Sequence, residues 1–181
     1  MNSEKNRSSL IALLLPLSLC LFIVIADQLT KILIVGNLPN IGDSVNIFGD
    51  FIRFVHVRNT NAAFGMGKGL AQPWHFIFTA ILPVILLCAL LVYYFLGKGI
   101  SRAQRWLFAA VLGGGFGNVI DKIIRPEGVV DFVTVKLYGL FGLQYWPSFN
   151  VADSAIVVSM ILLLVFVMIE EAAKKSRKEV K

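Results

Sequence analysis

Four stretches of this chain are too long and too uniformly apolar for the interior of a soluble domain: Ser8 to Ala26, Pro73 to Leu96, Trp106 to Ile120 and Phe149 to Ile169. A helix needs about 20 apolar residues to cross the hydrocarbon of a bilayer, within a range of about 17 to 25. The third block falls short and reaches that length by extending through Arg105 or Asp121. The whole chain is 57% hydrophobic and 15% charged, which excludes an ordinary water-soluble domain of 181 residues. The reading is an all-α membrane core of four transmembrane helices, spanning about 8–26, 73–96, 105–121 and 149–169. They form one integral membrane domain over residues 1–181, with no linker or internal repeat.

Charge orients the helices. If they alternate, the N-terminus, the Gly97–Arg105 loop and the C-terminal tail share one side. Ten basic residues against four acidic ones lie there, which accounts for the whole net charge of +6. The opposite side balances seven basic with seven acidic residues over two longer loops. The positive-inside rule then places both termini in the cytoplasm and all six aspartates on the extracytoplasmic side. Lys5 and Arg7, followed by an apolar run ending LSLC at Cys20, are reminiscent of a cleavable export signal. Leu19 is larger than the residue wanted before such a cysteine, and the run continues to Ala26, so an uncleaved first helix is expected. Cys20 and Cys88 fall inside spans and read as buried packing residues.

The loops carry their own signals. VNIFGDFIRFVHVRN, within Gly36–Gln72, mixes short β-branched and aromatic runs around a Phe-Gly-Asp turn, which predicts a small hairpin or curved sheet. Its apolar side chains (Ile47, Phe48, Phe51, Phe54) suit a platform on the bilayer surface. The second loop, Val133–Ser148, is rich in aromatic residues and glycine and reads as an interfacial flap. Trp74, Trp146, Tyr93, Tyr94 and Trp106 fit aromatic anchoring belts at the two interfaces. In the third block, GGGFGN lacks the residues of a phosphate loop. Gly113 and Gly117 instead form a small-xxx-small face that would draw helices three and four together.

An ionisable side chain in hydrocarbon costs roughly 2.5–3.5 kcal/mol even on a lenient scale, so polar residues at the span ends need a reason. Asp27, Lys31, Asn59, Asn61, Asn118, Asp121, Lys122, Asp131, Asn150 and Asp153 collect there. Asn150 and Asp153 share a helical face, as do Asn118 and Asp121. Asp27 and Lys31 could be an ion pair at a helix end, and Asp153 an N-terminal charge. Asp131, in VVDF, has no such structural explanation. Two carboxylates held close share a proton, so that one takes a proton from water while the other polarises a carbonyl. That chemistry hydrolyses a peptide bond without metal. A metal centre is the weaker alternative, because His56 and His75 have no ligand pattern around them. A serine–lysine pair, from Ser148 or Ser154, lacks a placed lysine. A transporter using the same carboxylates would carry charges in mid-span, where the blocks have none.

At these residues the chain resembles a known family. DQLTK (Asp27 to Lys31), RNTNAAFG (Arg58 to Gly65), GGGFGNVIDK (Gly113 to Lys122), VVDF (Val129 to Phe132) and FNVAD (Phe149 to Asp153) are similar, in order, to five motifs of the lipoprotein signal peptidases (signal peptidase II). The resemblance implies four helices with an extracytoplasmic β-cradle. It also implies an aspartic endopeptidase of the bacterial cytoplasmic (inner) membrane, with Asp131 and Asp153 as its dyad. Asp27, Lys31, Asn59, Asn118, Asp121, Lys122 and Asn150 would support them. The implied substrate is a diacylated prolipoprotein, cut just before its lipidated cysteine. Membrane lipid is the other partner of a monomer that uses no cofactor, metal or nucleic acid. The chain departs from the family at Asn61 (usually glycine), Gly65 (often serine) and Lys122 (usually arginine), with Arg125 nearby as a substitute. The dyad spacing is also somewhat longer than usual.

Overall fold

The computed structural model describes residues 10–61 and 69–179. Within them, four helices are long and apolar enough to cross a membrane: α1 (Leu10–Asn37), α2 (Trp74–Leu96), α3 (Arg102–Ile124) and α4, which spans over Val151–Lys175 and continues to Glu179. The expected start at Ser8, the charges at Lys5, Arg7 and Lys181, and Gly65 of the second motif lie outside the described residues. Leu21, Phe22, Leu29, Ile32 and Leu33 of α1 are exposed, as a lipid-facing surface must be.

Helices α3 and α4 run past their expected ends, to Ile124 and Glu179, and three other boundaries differ for a local reason. Helix α1 does not stop at Ala26 but runs through Asp27 and Lys31 to Asn37, because both side chains are buried and paired inside the protein. Helix α3 starts earlier, at Arg102, where Ser101 and Gln104 close a reciprocal capping box. Helix α4 starts later, at Val151, with Asn150 as its cap.

Helix α3 is the hub and packs against α1, α2 and α4. Its glycines point in three directions. A Cβ on Gly113 would meet the Cys20 carbonyl and Ile23 on α1, and one on Gly115 would meet Leu87 on α2. On Gly114 it would overlap the Ala152 carbonyl oxygen of α4, and on Gly117 it would lie 2.7 Å from Asp27 Oδ2. The expected Gly113/Gly117 face is therefore corrected: the α3–α4 seam runs through Gly114 and Gly117, and Gly113 belongs to α1. At the far end of the bundle, Tyr94 is fully buried rather than an interfacial anchor. Its hydroxyl donates to Leu13 O at 2.6 Å, and Arg105 Nη1 donates to its carbonyl at 2.7 Å. Cys20 is half-buried, while Cys88 is exposed on the lipid-facing side of α2, not packed in a core.

A three-stranded antiparallel sheet caps one end, in the order β1 (Ser44–Phe48), β2 (Ile52–Asn59), β3 (Val129–Val135). The β1–β2 hairpin turns at Gly49–Asp50, as the Phe-Gly-Asp signal predicts. Strand β3 takes up VVDF, so Asp131 sits on a strand and not at the end of the third helix. Its apolar residues are buried on both faces, which removes the alternation that would have announced a strand. Val130 and Phe132 pack with Ile34 of α1, and Phe132 meets Phe54 edge-to-face at 5.7 Å. The His56 ring, almost fully buried, puts Nδ1 2.8 Å from Leu38 O, tying the end of α1 to β2.

The glycine junction makes a stability prediction. Gly114→Ala forces α3 away from the α4 backbone and should cost about 1–3 kcal/mol, the usual overpacking range. Gly36→Ala, in α1 with nothing within 4 Å, should leave the protein as stable or slightly more so. Thermal unfolding of both variants in detergent checks the contrast; equal midpoints would show that the α3–α4 contact is loose.

Candidate active site

The polar residues gather where α1, α3, α4 and β3 meet beneath the sheet. Lys31 lies at the centre, with no exposed side-chain surface. Its ammonium sits 2.8 Å from Asp27 Oδ2, 3.1 Å from Asp121 Oδ2 and 3.1 Å from Asn118 Oδ1. Three acceptors match the three hydrogens of a lysine, which is what makes its burial tolerable. Asp27 and Lys31 are thus an ion pair, but one buried inside a helix and shared with α3 rather than exposed at a helix end.

Both carboxylates also hold backbone. Asp27 Oδ1 accepts the Ala152 N–H at 3.0 Å, and Asp121 Oδ2 accepts the Val130 N–H at 3.0 Å as well as the lysine. Ala152 immediately precedes Asp153, and Val130 immediately precedes Asp131. Each buried carboxylate therefore fixes the peptide next to one of the two remaining aspartates. Gln28 joins the pair, its Nε2 lying 3.1 Å from Asp27 Oδ2, 3.0 Å from Gly117 O and 2.9 Å from Asp121 Oδ1. Arg125 completes the cluster by donating to Gln28 Oε1 at 3.0 Å and to Asp121 Oδ1.

Asn150 links Asp131 to Asp153. Its Nδ2 donates to Asp131 Oδ1 at 2.7 Å and to Asn118 Oδ1 at 3.1 Å. Its Oδ1 caps α4 by accepting the Asp153 N–H at 2.9 Å, and Asp153 Oδ2 accepts the Asn150 N–H at 3.2 Å. This reciprocal capping box means that Asp153 does serve as an N-terminal charge, and that role also sets its rotamer. Its other oxygen accepts Asn118 Nδ2 at 2.8 Å. Asp131 stands opposite Val57 in the β2–β3 ladder, so Asn59 is its diagonal neighbour on the same face. Asn59 Nδ2 donates to Asp131 Oδ2 at 2.9 Å. Asp131 is 2% exposed, whereas Asp153 and Asn118 are only partly covered. Burial, and then the charge of Asp153, push the Asp131 carboxyl up to about 7 against the amide hydrogen bonds from Asn59 and Asn150.

Eight of the ten polar residues singled out in the sequence thus fall in one connected network. Lys122 does not: its ammonium turns to α2 and donates to Thr79 O. Asn61 stays at the rim, its N–H on Asn59 Oδ1 at 2.9 Å and its side-chain oxygen 3.4 Å from His75 Nε2. Gln28 was not singled out, although an amide inside an otherwise apolar helix, beside Asp27, is a signal of the same kind. Among the described residues, no three His, Cys, Asp or Glu side chains come together as a metal-binding set.

Removing the central cation tests the network. Lys31→Met leaves two buried carboxylates facing each other and should destabilise the protein by about 3–5 kcal/mol. Asp27→Asn, which keeps an acceptor for the Ala152 N–H, should cost distinctly less. Unfolding midpoints in one detergent give the comparison; a Lys31→Met midpoint like that of the unaltered protein would mean the cluster is well solvated.

Residues 19–169 match the family model described as signal peptidase (SPase) II. The chain is 41% identical to the lipoprotein signal peptidase of Treponema denticola over 91% of this chain and 95% of that protein. It is 38% identical to that of Treponema pallidum over 83% and 81%. Among solved structures, a bacterial membrane enzyme determined by the in meso method at 2.3 Å superposes with a TM-score of 0.71 at 28% identity, over 88% of this chain and 90% of that one. Four apolar spans, a three-stranded sheet and this match over most of the length lead to one conclusion: the chain belongs to the signal peptidase II family of membrane-embedded lipoprotein signal peptidases.

Proposed function

We propose that this protein is an aspartic endopeptidase that cuts diacylated prolipoproteins just before the lipidated cysteine, with Asp131 and Asp153 as its dyad. The observation that carries the reading is the Asn150 bridge. The Asn150 side chain donates to the Asp131 carboxyl while its backbone N–H donates to the Asp153 carboxyl, so one residue touches a carboxyl on a strand and a carboxyl on a helix, in a pocket where the first is pushed up to about 7. A structural ion-pair cluster needs no such pairing of like charges.

The division of labour follows from surroundings. Asp131, the more buried, carries the proton and donates it to the scissile carbonyl oxygen. Asp153, whose carboxylate accepts from Asn118 Nδ2 and from the Asn150 N–H, takes a proton from a water molecule. The hydroxide adds to the carbonyl carbon, giving a tetrahedral intermediate whose negative charge is met by the Asp131 proton. The C–N bond breaks as Asp153 gives its proton to the departing nitrogen, and the hydroxyl formed on the carbonyl oxygen returns its proton to Asp131, leaving the carboxyl group and the dyad as it began. The products are a signal peptide ending in a carboxyl group and a lipoprotein with a free α-amino group on its cysteine. Asn59 and Asn150 keep the Asp131 oxygens oriented through both steps.

Asp131→Asn and Asp153→Asn should each abolish cleavage of a diacylated prolipoprotein by the purified protein, while EDTA should leave the parent active. Substantial turnover by either variant removes that residue from the dyad; EDTA loss restored by zinc would favour a metal mechanism. The raised Asp131 carboxyl also sets a pH dependence. Its folded value of about 7 lies above the ordinary 3.8, so the stability it contributes at low pH is lost as pH rises through about 7. Activity should fall over the same range as the proton leaves. Asp131→Asn should then be more stable than the parent at pH 8, with the difference vanishing towards pH 4.

The proposed sidedness, with both termini cytoplasmic and the sheet extracytoplasmic, is tested by thiol labelling in a Cys20→Ser, Cys88→Ser background. Ser44→Cys on β1 should react with an impermeant reagent on intact cells, and Lys98→Cys in the α2–α3 loop should not. The reverse pattern would put the dyad where no exported substrate reaches it.

A further inference from the structure

The stretch between β3 and α4 is a second hairpin, not an open flap. Lys136 bridges to Tyr145, the Leu137 N–H donates to Gln144 O at 2.8 Å, and the Trp146 N–H donates to Val135 O at 2.8 Å. Its tip is a tight turn in which Tyr138, Gly139, Phe141 and Gly142 all have positive φ, at 53°, 87°, 55° and 74°. Left-handed backbone is costly for the two aromatic residues, so Tyr138 and Phe141 are held there by the fold. The glycines are turn formers rather than hinges.

The hairpin is also locked in place. Asp50, in the β1–β2 turn, accepts Lys136 Nζ at 2.7 Å and Tyr138 OH at 2.6 Å, and the Lys136 N–H donates to Phe51 O at 2.8 Å. Two tips are thereby joined into one. What this fixed structure presents outward is apolar: Phe141 is 81% exposed, Phe48 70%, Leu140 57% and Ile47 53%. None of these side chains is needed to hold the hairpin, which is latched by polar groups alone.

The composition around the tip says what covers it. Behind Leu140 and Phe141 comes a ring of amphipathic groups: Tyr138, Tyr145, Trp146, Lys136 and Arg53, whose guanidinium lies 4.1 Å over the Tyr145 ring. An apolar point with a collar of tyrosine, tryptophan and cations is the profile of a bilayer interface, where rings sit among headgroups and cations meet phosphate. The hairpin root is continuous with the membrane-facing surface, since only Pro147 to Asn150 separate Trp146 from the first residue of α4. Phe149 is pinned to Val133 in between.

We infer that the joined tips of the Lys136–Tyr145 hairpin and the β1–β2 turn dock into the phospholipid leaflet on the sheet side, with Leu140 and Phe141 among the acyl chains. This anchors the sheet independently of substrate. Given the peptidase reading, it would hold Asp131 at a constant depth relative to a substrate cysteine whose diacylglycerol lies in the same leaflet.

The test places an environment-sensitive NBD dye on Phe141→Cys in the Cys20→Ser, Cys88→Ser background, in vesicles of phosphatidylethanolamine and phosphatidylglycerol without prolipoprotein. Leu140→Cys provides a second labelled site should the first variant fail to fold. Docking predicts blue-shifted emission that is quenched by lipids carrying a nitroxide near the headgroup and protected from iodide. Aqueous emission quenched by iodide would overturn the inference. So would a dye that becomes shielded only when a diacylated prolipoprotein is added, because the tip would then be a substrate contact. The measurement needs no turnover, so it stands apart from the fate of the catalytic reading.

Discussion

The Lys31 ammonium is the contact on which the rest of the site depends. A lysine with no exposed side-chain surface is tolerable only if each donor is used, and here the three acceptors come from two helices. Those acceptors reach further. Asp27 holds the start of α4 through Ala152, and Asp121 holds the start of β3 through Val130. One buried charge thus fixes the relative position of two backbone segments far apart in sequence, each followed directly by an aspartate. Buried ion pairs are often no more stabilising than hydrocarbon of the same volume. Hydrocarbon, however, could not grip a peptide N–H, so position is what this cluster contributes.

Close backbone approach is the second condition. Carboxylate arms are short, and Asp27 reaches the α4 backbone only because Gly117 leaves its path open and Gly114 lets Ala152 sit against α3. The glycine run and the charged cluster are therefore parts of one arrangement. The first sets the distances between helices, and the second uses them. This also explains why α3, the least apolar span, is the most enclosed by its neighbours. Its polar end and its glycine faces both need protein rather than lipid around them.

Much of this was legible in the sequence. Four apolar blocks gave four helices, β-branched and aromatic runs around Phe-Gly-Asp gave the β1–β2 hairpin, and the spacing of Asn150 and Asp153 gave a shared helical face. What escaped depended on partners distant in the chain. Asp27 looked like a helix end because its compensating contacts, Lys31 apart, come from α3 and α4. VVDF gave no strand signal because both faces of β3 are covered, and so Asp131 was placed on the wrong element. Tyr94 had the composition of an interfacial anchor, but the carbonyl of Leu13 makes it a core residue. The flap was visible as an aromatic, glycine-rich segment. The Asp50 latch that makes it rigid was not, because Asp50 and Lys136 are 86 residues apart.

Lys122 and Arg125 divide the cationic contacts at this end of α3. A lysine there has a long stem and no fork, and it turns towards α2 rather than to Asp121. It finds the Thr79 carbonyl inside the π-helical turn Ile77–Ile81. One turn further along α3, Arg125 supplies the planar donor instead, spanning Asp121 and Gln28 from the rim. The buried cluster then contains two carboxylates, Asp27 and Asp121, and two cations, Lys31 and Arg125, with no net charge. Asp131 and Asp153, both bound to Asn150, therefore lie beside a neutral cluster rather than a positive one. Burial and then the charge of Asp153 raise the Asp131 carboxyl, and the Asn59 and Asn150 amides and the Lys31 charge oppose them without cancelling them.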